Sequence, residues 1–569
     1  MKKTNTLFWI AAGLLMILPG ISFSQDEITP AEKIAKMHNE VPDDPWIPGP
    51  AGAGTRSQAA RVDGSGFTMV QVNVDGSGQN IIGDAANEPS IAISPVDPNV
   101  IVIGWRQFDN VTSNFRQAGW GYTVDGGLTW TFPGVIDQGV FRSDPVLDAD
   151  ADGMIYYNSL TSNSSVYTCK VFKSSDGGAS WNNGADARGG DKQWMTIDRT
   201  SGPGAGNIYS FWTSYYSSCY PDFFTRSTDG GLYFESCSSI PGNPYWGTMA
   251  VGNDGELYIG GAGDWGGLMV TRSSNAQVPG STITWDLATP VDLDGYINAS
   301  MPVNPVGLVG QASIDVDRSN GPGRDNVYVL ASVTRFSNGD TADVMFSKST
   351  DGGLSWSLPR RINDDPGTAA YQWFGTMSVA PNGRIDVIWL DTRDAIGANP
   401  HISALYYSHS EDQGETWSVN ERLSDFFDPH LGYPAQDKMG DYFDLYSENS
   451  FARLAWANTL NGEEDVYYSE ITPVIDAINP GNEHGICYLS GYPNPFRTEV
   501  AIRYQVPVTC DVSVTVTDVY GRVVKILADQ EQKPGSYSVT LAGDDLPAGY
   551  YICNLNAGTF FRTLKLVKV

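Results

Sequence analysis

Apolar residues in this chain come in short alternating runs broken by Gly, Pro, Asn and Asp. Ile91-Ala-Ile-Ser is followed by a turn at Asp97-Pro-Asn and a second run from Val100 to Trp105. Val146-Leu-Asp leads through a turn ending at Gly153 to Met154–Tyr157. A longer form of the same unit runs from Asp198-Arg199 through Gly202-Pro-Gly to Ile208-Tyr209, and again from Asp317-Arg318 through Gly321-Pro-Gly to Val327-Tyr328. Trp246-Gly-Thr-Met-Ala-Val and Phe374-Gly-Thr-Met-Ser-Val open two further units. Period-two alternation rich in β-branched and aromatic residues predicts hairpins of short strands throughout.

A second phrase follows these units. Thr123-Val-Asp125-Gly-Gly127-Leu-Thr-Trp130 returns as Ser174 to Trp181 around Asp176, Ser227 to Phe234 around Asp229, Ser349 to Trp356 around Asp351, and Ser410 to Trp417 around Asp412. A worn copy runs from Ser273 through Asn275 to Trp285. The carboxylate can accept backbone N–H bonds inside a tight turn, Gly supplies positive φ, and the aromatic packs between sheets. The phrase resembles the Asp-box of sialidase-like (BNR-repeat) β-propellers, and the resemblance covers about residues 65–475. It implies blades of four antiparallel strands, with each box closing the hairpin between the third and fourth. The boxes are structural staples and identify architecture, not chemistry.

Counting units gives six blades and a seventh made of Phe443-Asp-Leu-Tyr, Phe451 to Trp456 and Asp465 to Ile471. The orphan run Phe67-Thr-Met-Val-Gln-Val-Asn-Val can supply its fourth strand and remove the exposed edges. Six blades is the alternative, if the last unit only patches the first. The expected fold is all-β: a seven-bladed Asp-box propeller over residues 63–475, then a small C-terminal β-sandwich over 485–569. Residues 25–62, with Pro48-Gly-Pro-Ala-Gly-Ala-Gly, read as a linker or pro-segment.

The tail carries Tyr492-Pro-Asn-Pro-Phe496, Val512-Ser-Val-Thr-Val-Thr-Asp518, Val519-Tyr-Gly-Arg522, Leu546-Pro-Ala-Gly-Tyr-Tyr551 and a final Lys565-Leu-Val-Lys-Val569. In this order at the C-terminus they resemble the sorting domain of type IX secretion cargo in the Bacteroidetes and neighbouring phyla. That resemblance implies recognition by the outer-membrane translocon and export to the cell surface or medium. At the other end, Lys2 and Lys3 precede an apolar run from Leu7 to Leu18, and small residues reach Ser24. This reads as a signal peptide over 1–24; no later run is long enough to span a bilayer.

Composition adds limits. Net charge is −30, which excludes nucleic acid and anionic membrane surfaces as general partners. Charged residues make up only 18% of the chain, which suits turns and buried strands better than exposed helices. Six cysteines are too few for a disulfide-built fold; Cys219 and Cys237, flanking one predicted hairpin, are the best candidate pair. A monomer acting on an extracellular glycan or glycoprotein is the expected form.

First and second strands form a hairpin, so the start of one and the end of the other share a face opposite the Asp-boxes. That start face gathers Glu88, Asp144, Asp191, Gln193, Trp194, Trp246, Gln311, Trp373, Asp441 and Tyr442, with Arg106, Arg335, Asp391 and Arg393 from the second strands. Aromatic faces stack on sugar rings, and paired carboxylates can serve as acid and nucleophile or base. The catalytic candidates are Asp144, Asp391, Tyr442 and Glu88; the substrate-binding candidates are Arg106, Arg142, Arg335, Arg393, Trp194, Trp246 and Trp373. Sialidases use an arginine triad and a Tyr–Glu nucleophile pair. Here Arg106, Arg335 and Arg393 could form the triad and Tyr442 with Glu88 the pair. The F-R-I-P phrase is missing, however, and Phe141-Arg142-Ser-Asp144-Pro145 is only loosely similar. Three readings remain: an exo-glycosidase, a non-catalytic glycan- or protein-binding propeller, and a lyase with Tyr442 as base. Asp148, Asp150 and Asp152 have the spacing of a calcium loop. They also occupy the same turn as Asn253-Asp-Gly255 and Pro381-Asn-Gly383, which need no metal, so no cofactor is expected. The five histidines show no zinc-ligand spacing.

Overall fold

The computed structural model describes residues 43–47, 55–473 and 489–569, apart from 65, 164–165, 215–216, 265, 396–397, 493, 507–508, 520, 534, 544 and 559. The signal-peptide run and the Pro- and Gly-rich stretch from 48 to 54 lie outside the described residues. The chain divides into two compact units, Met1–Pro473 and Val474–Val569.

In the first unit, seven sheets follow one another along the chain. Their innermost strands are Ala85–Ile93, Ser143–Ala149, Trp194–Ile197, Tyr245–Val251, Ser313–Val316, Gln372–Val379 and Asp444–Ser447. Each neighbours the next, and the last lies against the first, so the sheets close a ring. The final sheet is completed from the other end of the chain. Phe67–Gln71 pairs antiparallel with Asp465–Ile471, setting Thr68 opposite Glu470. Arg61–Asp63 adds a fifth strand outside it, and Arg56–Gln58 pairs with Gln79–Ile81. The polar composition of residues 25–62 had hidden these two short pairings, which rest on backbone bonds and need no apolar pattern.

The Asp-boxes explain how blades stack. In the first box, Asp125 Oδ1 accepts from the Thr123 hydroxyl (2.6 Å) and the Thr129 N–H (3.0 Å), and Gly127 N–H donates to Thr123 Oγ1. The boxes at Asp176, Asp229, Asp351 and Asp412 repeat the pattern. Asn275 takes the same role in the worn copy, accepting from the Thr284 N–H at 2.8 Å across a longer turn. The box aromatic then packs on the preceding blade: Trp130 on Tyr468, Trp181 on Trp120, Trp285 on Phe224 and Trp417 on Phe346. Gly127 (φ 92°) is required twice over, since a Cβ there would meet the Tyr468 ring at 2.3 Å.

Between blades, Trp105, Trp212, Trp246, Trp373, Trp389 and Trp456 are fully buried. At roughly 200 Å² of indole each, burial contributes on the order of 5 kcal/mol per residue before ordering entropy is subtracted. Cys219 and Cys237 are disulfide-bonded. The second unit pairs a three-stranded sheet (Leu489–Tyr492, Glu499–Val506, Gly535–Ala542) with a four-stranded one containing Cys510–Asp518 and Phe560–Lys568. Its alternating valines, Val512, Val514 and Val516, enter one core with Ile502, Leu541 and Leu555.

Candidate functional site

At or near its start, every innermost strand passes through positive-φ backbone, and four of the seven ladders slip in register near that point. Glu88, Asp144, Lys192, Trp246 and Phe374 sit there at φ between 46° and 57°, with Gly310 and Gly440 in the remaining blades. The ladders slip at the same points, between Asn87 and Ser90, Tyr245 and Thr248, and Trp373 and Thr376. Bulges re-aim side chains, and here five non-glycine residues carry left-handed backbone to do so.

In blades one, two, three and seven, this brings a charged cluster together. Asp441 Oδ2 accepts from Lys192 Nζ at 2.6 Å and Lys438 Nζ at 2.7 Å, while Oδ1 accepts from the Leu308 N–H. Glu88 lies 3.4 Å from the same Lys438 ammonium and 3.2 Å from Arg106 Nε. Arg106 also donates to Asn87 and Gln436. Asp144 accepts from the Lys192 N–H. Burial pushes the Glu88 carboxyl up to about 7, against the pull of Arg106 and Lys438 and with a further push from Asp441 and Asp144. Burial also works against ionised Asp441, but the ammoniums of Lys192 and Lys438 outweigh it and hold that carboxyl well below its ordinary value. One carboxyl is thus protonated near neutrality and its neighbour ionised, the division an acid–base pair requires.

The cluster is nevertheless sealed. Glu88 is 0% exposed, Asp441 1% and Lys438 4%. Two segments cover it. Asn304 donates to Gly440 O and accepts from the Met439 N–H, and His430 Nε2 lies 3.1 Å from Pro302 O. Sequence reasoning placed Glu88, Asp144 and Asp441 here but missed Lys192 and Lys438. Lys192 occupies the same bulge position as Glu88 and Asp144, a correspondence visible once the blades are aligned; Lys438 arrives from a covering segment that no pattern marks.

The remaining candidates lie elsewhere. Arg106, Arg335 and Arg393 do not form a triad: Arg335 is held by Asp294 and Asp343, and Arg393 by Asp391, Asp364 and Asp365. Each guanidinium is paired with carboxylates of its own surroundings, because the three stand on the second strands of three different sheets or just after them. Asp391 accepts from Trp389 Nε1 and Gln372 as well. Arg142 pairs with Asp137 and stacks on the Phe172 ring. Tyr442 is not paired with Glu88 by a hydrogen bond; its hydroxyl donates to Pro145 O at 2.7 Å, and burial raises its pKa far above the ordinary range. Trp246 and Trp373 are core residues. Trp194, packed edge-on against Tyr442, lines the central channel.

That channel is a cavity of about 480 Å³ running along the innermost strands. At the start face its walls are buried: Trp194, Gln311, Phe374 and Tyr442. Toward the Asp-box face the lining becomes half-buried or exposed, at Arg199, Ser201, Asn253, Arg318 and Pro381. The channel therefore meets solvent at the face opposite to the one expected. Arg199 and Arg318 at this rim are paired with Asp148 and Asp315. Asp148 also accepts from the Ile197 N–H, and Asp150 accepts from Tyr156 and its own turn. The carboxylates of Asp148 and Asp150 are thus each held by their own partners, and Asp152 donates its backbone N–H to Asp150 Oδ1. Among the described residues no group of three His, Cys, Asp or Glu side chains could hold a metal.

The family described as a secretion system C-terminal sorting domain matches residues 490–569, within the second compact unit. The C-terminal unit is a sorting domain. A chain bearing this sorting domain is exported to the cell surface or the medium. Among the described residues no helix is long and apolar enough to cross a membrane. No curated protein matches the chain in sequence. Solved structures similar to it include a protein of unknown function from Dyadobacter fermentans, 14% identical over 72% of this chain and 99% of that one, with a TM-score of 0.40. An alpha-L-arabinanase from Penicillium chrysogenum is 12% identical over 74% and 98%, TM-score 0.36. A Trypanosoma rangeli sialidase is 10% identical over 89% of each chain, TM-score 0.36. These likenesses are ones of overall strand arrangement and carry no chemistry.

Proposed function

We propose that this is an exported propeller that binds extracellular glycan in its central channel, reached from the Asp-box face. The observation that carries this reading is the contrast between the two faces. At the start face Glu88, Asp144, Asp441 and Arg106 are buried, with Lys192 and Lys438 among them, and Arg335 and Arg393 are half-buried and already paired with carboxylates, whereas the channel rim at the other face is half-buried to exposed. Aromatic walls at Trp194, Phe374, Tyr442 and Phe443, with hydroxyls at Thr196, Thr248 and Thr376, suit a sugar ring. The sorting domain supplies the address at which such a ligand is met.

A second reading, a glycoside hydrolase, is favoured by one observation: Glu88 raised to about 7 beside ionised Asp441. One experiment separates the two. The purified mature protein is tested for glycan retention on an array and for glycan release, with Met249→Trp filling the channel and Glu88→Gln removing the acid. Retention lost in Met249→Trp and kept in Glu88→Gln, with no release, is the expected result. Release by wild type that disappears in Glu88→Gln would establish the hydrolase instead.

A further inference from the structure

Among the described residues that line the channel, one has unfinished hydrogen bonding. Gln311 is 5% exposed, and neither its Oε1 nor its Nε2 has a partner among the described residues. A buried amide left this way costs free energy, so a native fold keeps one where something else completes it. Its placement is built in. The preceding Gly310 (φ 136°) passes so close to blade six that a Cβ there would meet Phe374 Cα at 3.1 Å. The Phe374 N–H donates to Val309 O at 2.6 Å, fixing the approach. Gln311 is thereby delivered to the channel wall at the closed end. Around it the same cavity presents the Trp194–Tyr442 pair and the Phe374–Phe443 pair. Beside these aromatics lie the thioether side chains of Met195, Met249 and Met377, one from each of three innermost strands.

We propose that the closed end of the channel recognises an acylamino group, with Gln311 Oε1 accepting its N–H, Gln311 Nε2 donating to its carbonyl, and the methionines receiving its alkyl end. Resting on the glycan reading above, this makes the ligand an N-acylated amino sugar. An amide is the group that matches one donor and one acceptor held side by side. A sugar hydroxyl can satisfy either atom but does not present both roles with an apolar end attached. Methionine adapts its shape to a small alkyl group and keeps the acyl methyl out of water.

The test is isothermal titration of the full mature protein with N-acetylglucosamine, glucose and an N-acetylated dipeptide amide. Gln311→Leu keeps the volume and removes both polar atoms; Met249→Trp blocks the channel. The wild type is expected to bind N-acetylglucosamine at least about tenfold tighter than glucose, the difference of two net hydrogen bonds. Gln311→Leu should erase that preference, and Met249→Trp should abolish binding of both sugars. Equal binding of the two sugars by wild type, or an undiminished preference in Gln311→Leu, would overturn the inference and leave the glycan reading standing. In that case water completes the Gln311 amide. Binding of the dipeptide amide with neither sugar bound would overturn both and make the ligand a peptide. No binding of any of the three would also remove both.

Discussion

Asp441 is the residue whose replacement tests the reading of the buried cluster most directly. Its carboxylate is the contact that Lys192 and Lys438 share, at 2.6 and 2.7 Å. Removing one partner of a buried ion pair costs about 3–5 kcal/mol, because the other charge stays behind without compensation. Glu88 reduces that cost. It lies 3.4 Å from Lys438 and holds a proton near neutrality partly because Asp441 is ionised beside it. With Asn at 441 that repulsion disappears, Glu88 ionises, and the negative charge moves across the cluster. Asp441→Asn should therefore cost about 2–3 kcal/mol, below the range for a broken buried pair. Glu88→Gln alone should cost about 1 kcal/mol. The double variant leaves no such relay and should exceed the sum of the singles by about 1–2 kcal/mol. The assay is equilibrium urea unfolding at pH 6.5 followed by tryptophan fluorescence. All 16 tryptophans precede residue 474, so the signal reports on the propeller unit and not on the sorting domain. Additivity of the two substitutions within about 0.5 kcal/mol would refute the charge-relay argument. So would an Asp441→Asn variant as stable as wild type.

Stability should fall as pH rises from about 4.5 to 7, because the folded chain there holds protons on Glu88 and Asp465 (both raised to about 7) and Asp444 (about 6) that the unfolded chain has released. Below that window the Asp-boxes act in the opposite sense. Asp351 is lowered to about 2 by the Ser355 and Ser349 hydrogen bonds, so its contribution, present above the ordinary Asp value, is lost as pH falls toward 2. Melting temperatures across pH 2–9 should peak near about pH 4–5, and a monotonic rise to pH 8 would contradict the assignment. Beginning the mature chain at Val72 removes Phe67–Gln71 and leaves Asp465–Ile471 as an open edge. Such a chain should aggregate or exchange strands, seen as oligomers by light scattering, whereas a chain beginning at residue 55 should stay monodisperse. Replacing Cys219 and Cys237 by Ser opens a link 18 residues apart in sequence and should cost about 3 kcal/mol, measured in the same urea assay without reductant.

Local chemistry determined a good deal of this protein from sequence alone. Period-two alternation, the D-G-G turns and the box aromatics are properties of a few adjacent residues, and each builds its hairpin wherever the blade ends up. They were enough to specify an all-β chain, the blade repeat and the Phe67 strand as closure; the sorting domain was legible only through the resemblance of its C-terminal phrases. The candidate site depended on other physics. Whether Glu88 is an exposed acid or a sealed one depends on segments some 200 and 350 residues away, where Asn304 and Gly440 meet over it. Lys438 reaches the cluster from one of those segments, so no spacing around Glu88 could announce it. The arginines that composition placed on one mouth were divided among blades, each drawn to the nearest carboxylates. The open end of the channel, too, was decided by which strand ends the covering segments closed. Burial and electrostatics sum over neighbours that only the closed ring brings together, and that sum left the channel lining exposed at the face opposite to the one expected.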